Sequence, residues 1–231
     1  MREICIVGGD ARAAYAVQAL EREGYRVTRA TQTEMQQHAA RDCLFVGGGL
    51  PESLGGYDYL KDEAFLYDNA RITAEGAVML LGAHTKGTVF GMDVAVIGMG
   101  RIAECLCPLL SALGARVTVY ARRSEVLARA RAMGARTVRF SGVLPVSVVQ
   151  HDAVCNTVPH VLLDRALLAS ARPELLLLEL ASLPGGFDMN AVQEFGMEYA
   201  DGRGLPGRYA PRAAGELIAA YVMDFVKGER L

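Results

Sequence analysis

The sequence predicts an α/β fold, a doubly wound parallel-sheet domain with a smaller N-terminal α/β domain. Three observations carry that expectation. Short apolar runs alternate with stretches at helical spacing along most of the chain. The later runs, Ala153 to Asn156 and Leu175 to Leu178, are apolar on both faces, as in parallel strands covered by helices on each side. Glycines stand where helices should stop, at Gly24, Gly114 and Gly134.

Taken in order, Ile4-Cys5-Ile6-Val7 reads as a strand ended by Gly8-Gly9, and Asp10 is placed to cap a helix from Ala11 to Glu23. Tyr25-Arg26-Val27-Thr28 reads as a second strand and Cys43-Leu44-Phe45-Val46 as a third, followed by the loop Gly47-Gly48-Gly49-Leu50-Pro51. The polar stretch to Arg71 carries Asp62, Glu63 and Asp68 without a strong period. Thr73 then looks like a cap with Glu75 in the first turn, which predicts a linker helix over 73–88 bridging two domains. Beyond it come a strand at Val94-Ala95-Val96-Ile97, a helix from Arg101 to Leu113, a strand at Arg116 to Tyr120 and a helix from Ser124 to Met133. Residues 212–231 hold a C-terminal helix expected to pack back on the first segment. The expected domains are therefore 1–72, joined by that helix, and 73–211.

Composition excludes several classes. With 231 residues, 52% hydrophobic and 22% charged, the chain can bury a substantial core, so global disorder is excluded. A formal charge of −2 offers no broad field for nucleic acid. Apolar stretches break well before about 18 residues, so no membrane span is expected, and the N-terminus turns polar too soon for a signal peptide. A cytoplasmic location is the expectation. The five cysteines, Cys5, Cys43, Cys105, Cys107 and Cys155, are odd in number and mostly sit in apolar runs, which reads as buried thiols rather than a disulfide framework or zinc site.

The central motif is Val96-Ile97-Gly98-Met99-Gly100-Arg101-Ile102-Ala103, which follows a strand and opens a helix. Gly98 permits the tight turn, Gly100 leaves room for a pyrophosphate beside the helix-end N–H groups, and Ala103 lets helix and strand pack closely. This reads as the phosphate loop of a Rossmann domain, the alternative being an ordinary glycine turn in an α/β protein. The next strand ends in Tyr120-Ala121-Arg122-Arg123-Ser124, without the Asp or Glu that would hold an NAD ribose. Arg122 stands 22 positions after Gly100. A guanidinium fork matches a phosphate dianion, so NADP is expected over NAD, the alternative being that both arginines are solvated turn residues.

Six segments occur in an order that is specific: Gly8-Gly9-Asp10-Ala11-Arg12, Thr73-Ala74-Glu75-Gly76-Ala77, Gly98-Met99-Gly100-Arg101, Asn156-Thr157-Val158-Pro159, Leu180-Ala181-Ser182-Leu183-Pro184-Gly185-Gly186, and Gly204-Leu205-Pro206-Gly207-Arg208-Tyr209-Ala210-Pro211. Together they resemble the A-subunit family of dipicolinate synthase from endospore-forming bacteria, densely from Arg71 to Leu217. The resemblance implies an NADP-dependent oxidation of dihydrodipicolinate or hydroxytetrahydrodipicolinate to dipicolinate, beside a flavoprotein-like B-subunit. Carried over by position, Gly98, Met99, Gly100, Arg101 and Ile102 would line the pyrophosphate, and Ala121, Arg122, Arg123 and Ser124 the adenosine ribose phosphate. Asn156, Thr157, Val158, Pro159, Ala181 and Ser182 would lie by the nicotinamide ribose and ring. The chain departs from the family before Thr73, where the family domain is longer and His38 to Arg71 replaces it in abbreviated form.

Arg12 at the start of the first helix could hold a substrate carboxylate, or be an ordinary surface arginine. Arg203 and Arg208, flanking Leu205-Pro206-Gly207, are further candidates for the dicarboxylate. No general base declares itself. His160 follows Pro159 at a strand mouth and Glu75 opens the expected linker helix, so these are the catalytic candidates, each with a structural alternative. His38, His84 and His151 lack a partner pattern, and no metal-ligand spacing is visible. An accessory, non-catalytic NADP-binding subunit with a truncated substrate domain is the alternative function. A homo-oligomer, a dimer by analogy, is expected.

Overall fold

Apolar runs build two parallel sheets. The computed structural model describes residues 3–31, 33–34, 43–54 and 56–228, so His38 and the last residues of the expected C-terminal helix lie outside the described residues. The chain divides into two units, Met1–Ile72 with Gly204–Leu231, and Thr73–Arg203.

The first unit holds β1 (Glu3–Val7), α1 (Ala11–Arg22), β2 (Val27–Ala30), β3 (Cys43–Gly47) and β4 (Tyr57–Asp58), in sheet order β2-β1-β3-β4 with every pair parallel. Asp10 ends the first loop and caps α1, its Oδ1 accepting from the Arg12 N–H at 2.9 Å. Against α1 lies the C-terminal helix, which we number α8 (Pro211–Val226). The two approach closely because Gly215 has no side chain: a methyl group there would lie 2.5 Å from Tyr15 Cβ and 2.6 Å from the Arg12 carbonyl. Ile4, Ile6, Leu20, Phe65, Ile218, Tyr221 and Val222 form the shared core.

The helix expected over 73–88 is α2 (Glu63–His84) and begins ten residues earlier. Asp62 is its cap, accepting at Oδ1 from the N–H groups of Ala64 and Phe65 at 2.9 and 3.0 Å. Thr73 is therefore a buried mid-helix residue, and Glu75 is exposed in the middle of the helix rather than at its start. Burial of Phe65 and Ala70 makes 63–72 helical where the polar residues masked the period.

The second unit runs β5 (Asp93–Ile97), α3 (Arg101–Ala112), β6 (Arg116–Ala121), α4 (Ser124–Ala132), β7 (Arg136–Arg139), β8 (Ala153–Asn156), α5 (Arg165–Leu168), β9 (Leu176–Glu179), α6 (Met189–Glu194) and β10 (Glu198–Asp201). Its sheet order is β10-β9-β8-β5-β6-β7, all parallel. This is the doubly wound order, which reverses direction between β5 and β8 and opens a crevice at their carboxyl ends. Val94, Ala95, Val96 and Ile97 of the central strand are fully buried.

The segment 204–211 belongs to the first unit, which corrects the boundary expected at 211. Gly204 turns the chain at φ +68°, α7 (Leu205–Tyr209) follows, and Gly207 lies against Arg12 and Asp10. Among the described residues no helix is long and apolar enough to cross a membrane.

Candidate functional site

The crevice of the second unit is built on two glycines with different tasks. Gly98 adopts φ +89°, a left-handed conformation that glycine tolerates without strain. It also makes room for the β8 loop: a methyl group there would lie 2.7 Å from Thr157 Oγ1 and 2.8 Å from Val158 Cγ2. Thr157 in turn donates from N and Oγ1 to the Ile97 carbonyl, at 3.1 and 2.7 Å. Gly100 has ordinary backbone angles and heads α3 without a side-chain cap. A methyl group on it would meet no atom within 4 Å. That open space above uncapped helix N–H groups fits a pyrophosphate.

Gly98, Met99, Gly100, Ala121, Arg122, Arg123 and Val158 line one cavity of about 370 Å³, floored by Tyr120 and Phe140. Arg101 and Ile102 occupy the first turn of α3, and Ser124 is the first residue of α4. Arg122 and Arg123 are both exposed at the carboxyl end of β6. Their environments differ. Arg123 Nε lies 3.5 Å from Glu125 Oε1, whereas Arg122 has no carboxylate partner among the described residues. The Arg122 carbonyl accepts from Arg139 Nε at 3.2 Å.

At the other end of the crevice the side chain of Asn156 is fully buried. Its Nδ2 donates to Glu179 Oε1 at 2.7 Å and to the Val158 carbonyl at 2.9 Å, while its Oδ1 accepts from the Val158 N–H. Glu179 Oε1 also accepts from the Ala181 N–H at 2.9 Å, and Oε2 from the Gly186 N–H at 2.7 Å. Burial pushes the Glu179 carboxyl above its ordinary range, although the donors from Gly186, Asn156 and Ala181 oppose that rise. Thr157 and Val158 are half-buried, and Pro159, His160 and Ser182 are exposed, while Ala181 is buried. Sequence reasoning did not single out Glu179. Its place at the carboxyl end of a buried parallel strand was the available signal.

The expected substrate residues are not gathered in one unit. Arg12, Leu205, Pro206, Gly207 and Arg208 belong to the first and Arg203 to the second. Arg12 lines a small crevice of about 150 Å³ with Gly8, Gly9, Asp10, Gly48 and Tyr59. Its guanidinium is engaged: Nε and one terminal nitrogen donate to Asp10 Oδ2 at 2.8 and 2.6 Å. Burial would raise the Asp10 carboxyl, but this guanidinium holds it below its usual range. Arg203 likewise forks onto Asp201, at 2.8 and 2.6 Å. Of the candidate substrate residues in that segment, Leu205 and Pro206 are buried, Gly207 is half-buried and Arg208 is exposed.

Glu75 lies outside this crevice, mid-way along α2. His160 stands exposed just past β8. His84 Nδ1 lies 2.8 Å from Glu198 Oε1, and His151 Nε2 lies 2.9 Å from the Tyr120 hydroxyl. Among the described residues no three metal-ligating side chains cluster.

Comparison with known proteins bears on the same crevice. Residues 70–182 match the family described as D-isomer specific 2-hydroxyacid dehydrogenase, NAD binding domain. The A-subunit of dipicolinate synthase from Bacillus subtilis is 39% identical over 160 residues, 69% of this chain and 53% of that protein. The match thus spans about half of that relative's length. The crystal structure of the dipicolinate synthase A chain from Bacillus subtilis superposes with a TM-score of 0.83 at 25% identity, covering 99% of this chain and 98% of that one. Its counterpart from Bacillus halodurans gives 0.81 at 23% identity, with 97% of each chain covered. The second unit is a nicotinamide dinucleotide-binding domain.

Proposed function

Because the chain belongs to the A-subunit family of dipicolinate synthase, we propose that it is an NADP-dependent oxidoreductase that converts dihydrodipicolinate, or its hydroxytetrahydro precursor, to dipicolinate. The observation that carries the choice of NADP is Arg122, which stands without a carboxylate partner among the described residues where an NAD site would hold Asp or Glu. When bound, the nicotinamide supplies the hydride acceptor. The chain's own residues bind and orient: Gly98 and Gly100 shape the pyrophosphate loop, and Glu179 with Asn156 holds the two loops at the nicotinamide end. Arg208 is the candidate for a substrate carboxylate, since the Arg203 fork is filled by Asp201, and the proton released on aromatisation leaves to water. A flavoprotein-like B-subunit is the proposed partner, and a homodimer the proposed assembly.

A second reading, an accessory NADP-binding subunit without catalysis of its own, is favoured by one observation. The Arg12 fork proposed for a carboxylate is filled by Asp10.

Calorimetric titration of the chain with NADPH and NADH tests the cofactor. Tighter binding of NADPH, lost on Arg122→Ala while NADH binding is retained, supports the proposal; equal affinities overturn it. Reduction of NADP in the presence of partner and dihydrodipicolinate separates the two functions, and its absence at any pH leaves the accessory reading.

A further inference from the structure

An arginine on β7, outside the lining of the cavity at the end of β6, reaches back to the loop that does line it. Register pairs Ala121 of β6 with Arg139 of β7, which brings Arg139 level with the end of the neighbouring strand. Its Nε donates to the Arg122 carbonyl at 3.2 Å. That bond uses one of five guanidinium N–H donors, and the terminal nitrogens have no hydrogen-bond partner among the described residues. Neither Arg122 nor Arg139 has a carboxylate partner among the described residues. Arg12, Arg116, Arg165, Arg172, Arg203 and Arg212, by comparison, each hold an acid. Arg123, the second arginine of the loop, is engaged by Glu125.

A dianion beside the two strand ends would take charge-assisted hydrogen bonds from both guanidiniums. The first turn of α4 adds donors at the same place, because Arg123 caps it without a side-chain hydrogen bond. We infer that Arg139, together with Arg122, is the determinant that reads a phosphate monoester on the adenosine ribose, and that Arg123 is not. This assignment rests on the NADP reading above and gives the recognition a residue from a second strand.

The test uses the two halves of the ligand that differ only in that group, adenosine 2′,5′-bisphosphate and adenosine 5′-monophosphate, titrated calorimetrically against the full chain. The unaltered protein should bind the bisphosphate more tightly. Arg139→Ala should weaken the bisphosphate about tenfold or more and leave the monophosphate unchanged, on the scale of a lost charge-assisted hydrogen bond. Arg139→Lys, which keeps the charge but not the fork, should recover only part of that loss, and Arg123→Ala should weaken the bisphosphate less than Arg139→Ala does. Arg139→Ala weakening both ligands alike, or neither, overturns the assignment while leaving the NADP reading intact. An unaltered protein that does not distinguish the two ligands removes the NADP reading, and the assignment with it.

Discussion

Asn156 and Glu179 are register partners at the carboxyl ends of β8 and β9, and the Asn156 amide donates to the Glu179 carboxylate at 2.7 Å. The pair fills its space. A methyl group at Gly186 would lie 2.3 Å from Asn156 Nδ2, and one at Gly185 would lie 2.7 Å from Glu179 Oε2. Two loops, 157–159 and 181–186, are thereby tied to one buried carboxylate that accepts from three N–H donors.

Removing that carboxylate leaves three buried donors without an acceptor. Glu179→Ala should cost about 3 kcal/mol or more in chemical denaturation. A loss below about 1 kcal/mol would show that the donors find other partners. The pH dependence has a definite sign. Burial raises this carboxyl in the folded protein, so the folded state binds its proton more readily than the unfolded chain. Its contribution is greatest below the usual glutamate range and declines as pH rises through the raised value. The stability difference between wild type and Glu179→Gln should therefore shift in favour of the variant as pH rises across that interval. A difference that moves the other way would mean the hydrogen bonds outweigh burial.

The two loop glycines should separate folding from binding. Gly98→Ala introduces a left-handed alanine pressed against Thr157 and Val158, and should lower stability by about 1–3 kcal/mol. Gly100→Ala meets no protein atom and no strained backbone, so its melting temperature should stay within a few degrees of wild type. It should nevertheless weaken dinucleotide binding, because its methyl group occupies the space left for pyrophosphate. Melting curves beside titrations would decide, and a Gly100→Ala protein binding at full strength would remove that glycine from the site.

The cysteines should differ in reactivity. Burial pushes the Cys107 thiol up to about 12, and Cys155 is raised for the same reason. Iodoacetamide at pH 8 should therefore leave both unlabelled in the native protein and label them after denaturation, read by peptide mass spectrometry. Cys105, partly exposed on α3, should react first. Native labelling of Cys155 would show that β8 opens.

Helix packing in the first unit depends on Gly215. Gly215→Ala forces a methyl group into the Arg12 carbonyl and Tyr15, so it should destabilise by about 1–3 kcal/mol despite the better helix propensity of alanine. A neutral or stabilising result, by thermal denaturation, would mean that α1 and α8 can separate at little cost.

What the sequence disclosed depended on how local the signal was. The loop from Val96 to Ala103 was legible because strand, glycines and helix are contiguous. Strands β7 and β10 were not foreseen, because edge strands such as Arg136–Arg139 are half-exposed and carry polar residues that blur the apolar pattern. The start of α2 was misplaced because Thr73 and Glu75 imitate a cap, while the real one, Asp62, stands before residues whose burial only the folded core reveals. Glu179 and Arg139 share a cause. Each acquires its meaning from a partner outside its own strand, Asn156 on β8 and Arg122 in the loop after β6.

The discontinuity of the first unit has a consequence for synthesis. Residues Thr73–Arg203 form an uninterrupted stretch, so the nucleotide-binding unit has all of its chain before α8 leaves the ribosome. The first unit has to wait, since Ile4, Ile6 and Leu20 are made before the second unit and their partners Ile218, Tyr221 and Val222 after it. Throughout that interval the early strands lack the part of their cover that α8 supplies. A nascent chain stalled before Pro211 would hold a finished nucleotide fold and an open first sheet, which makes it a substrate for chaperones or for proteolysis at its leading end.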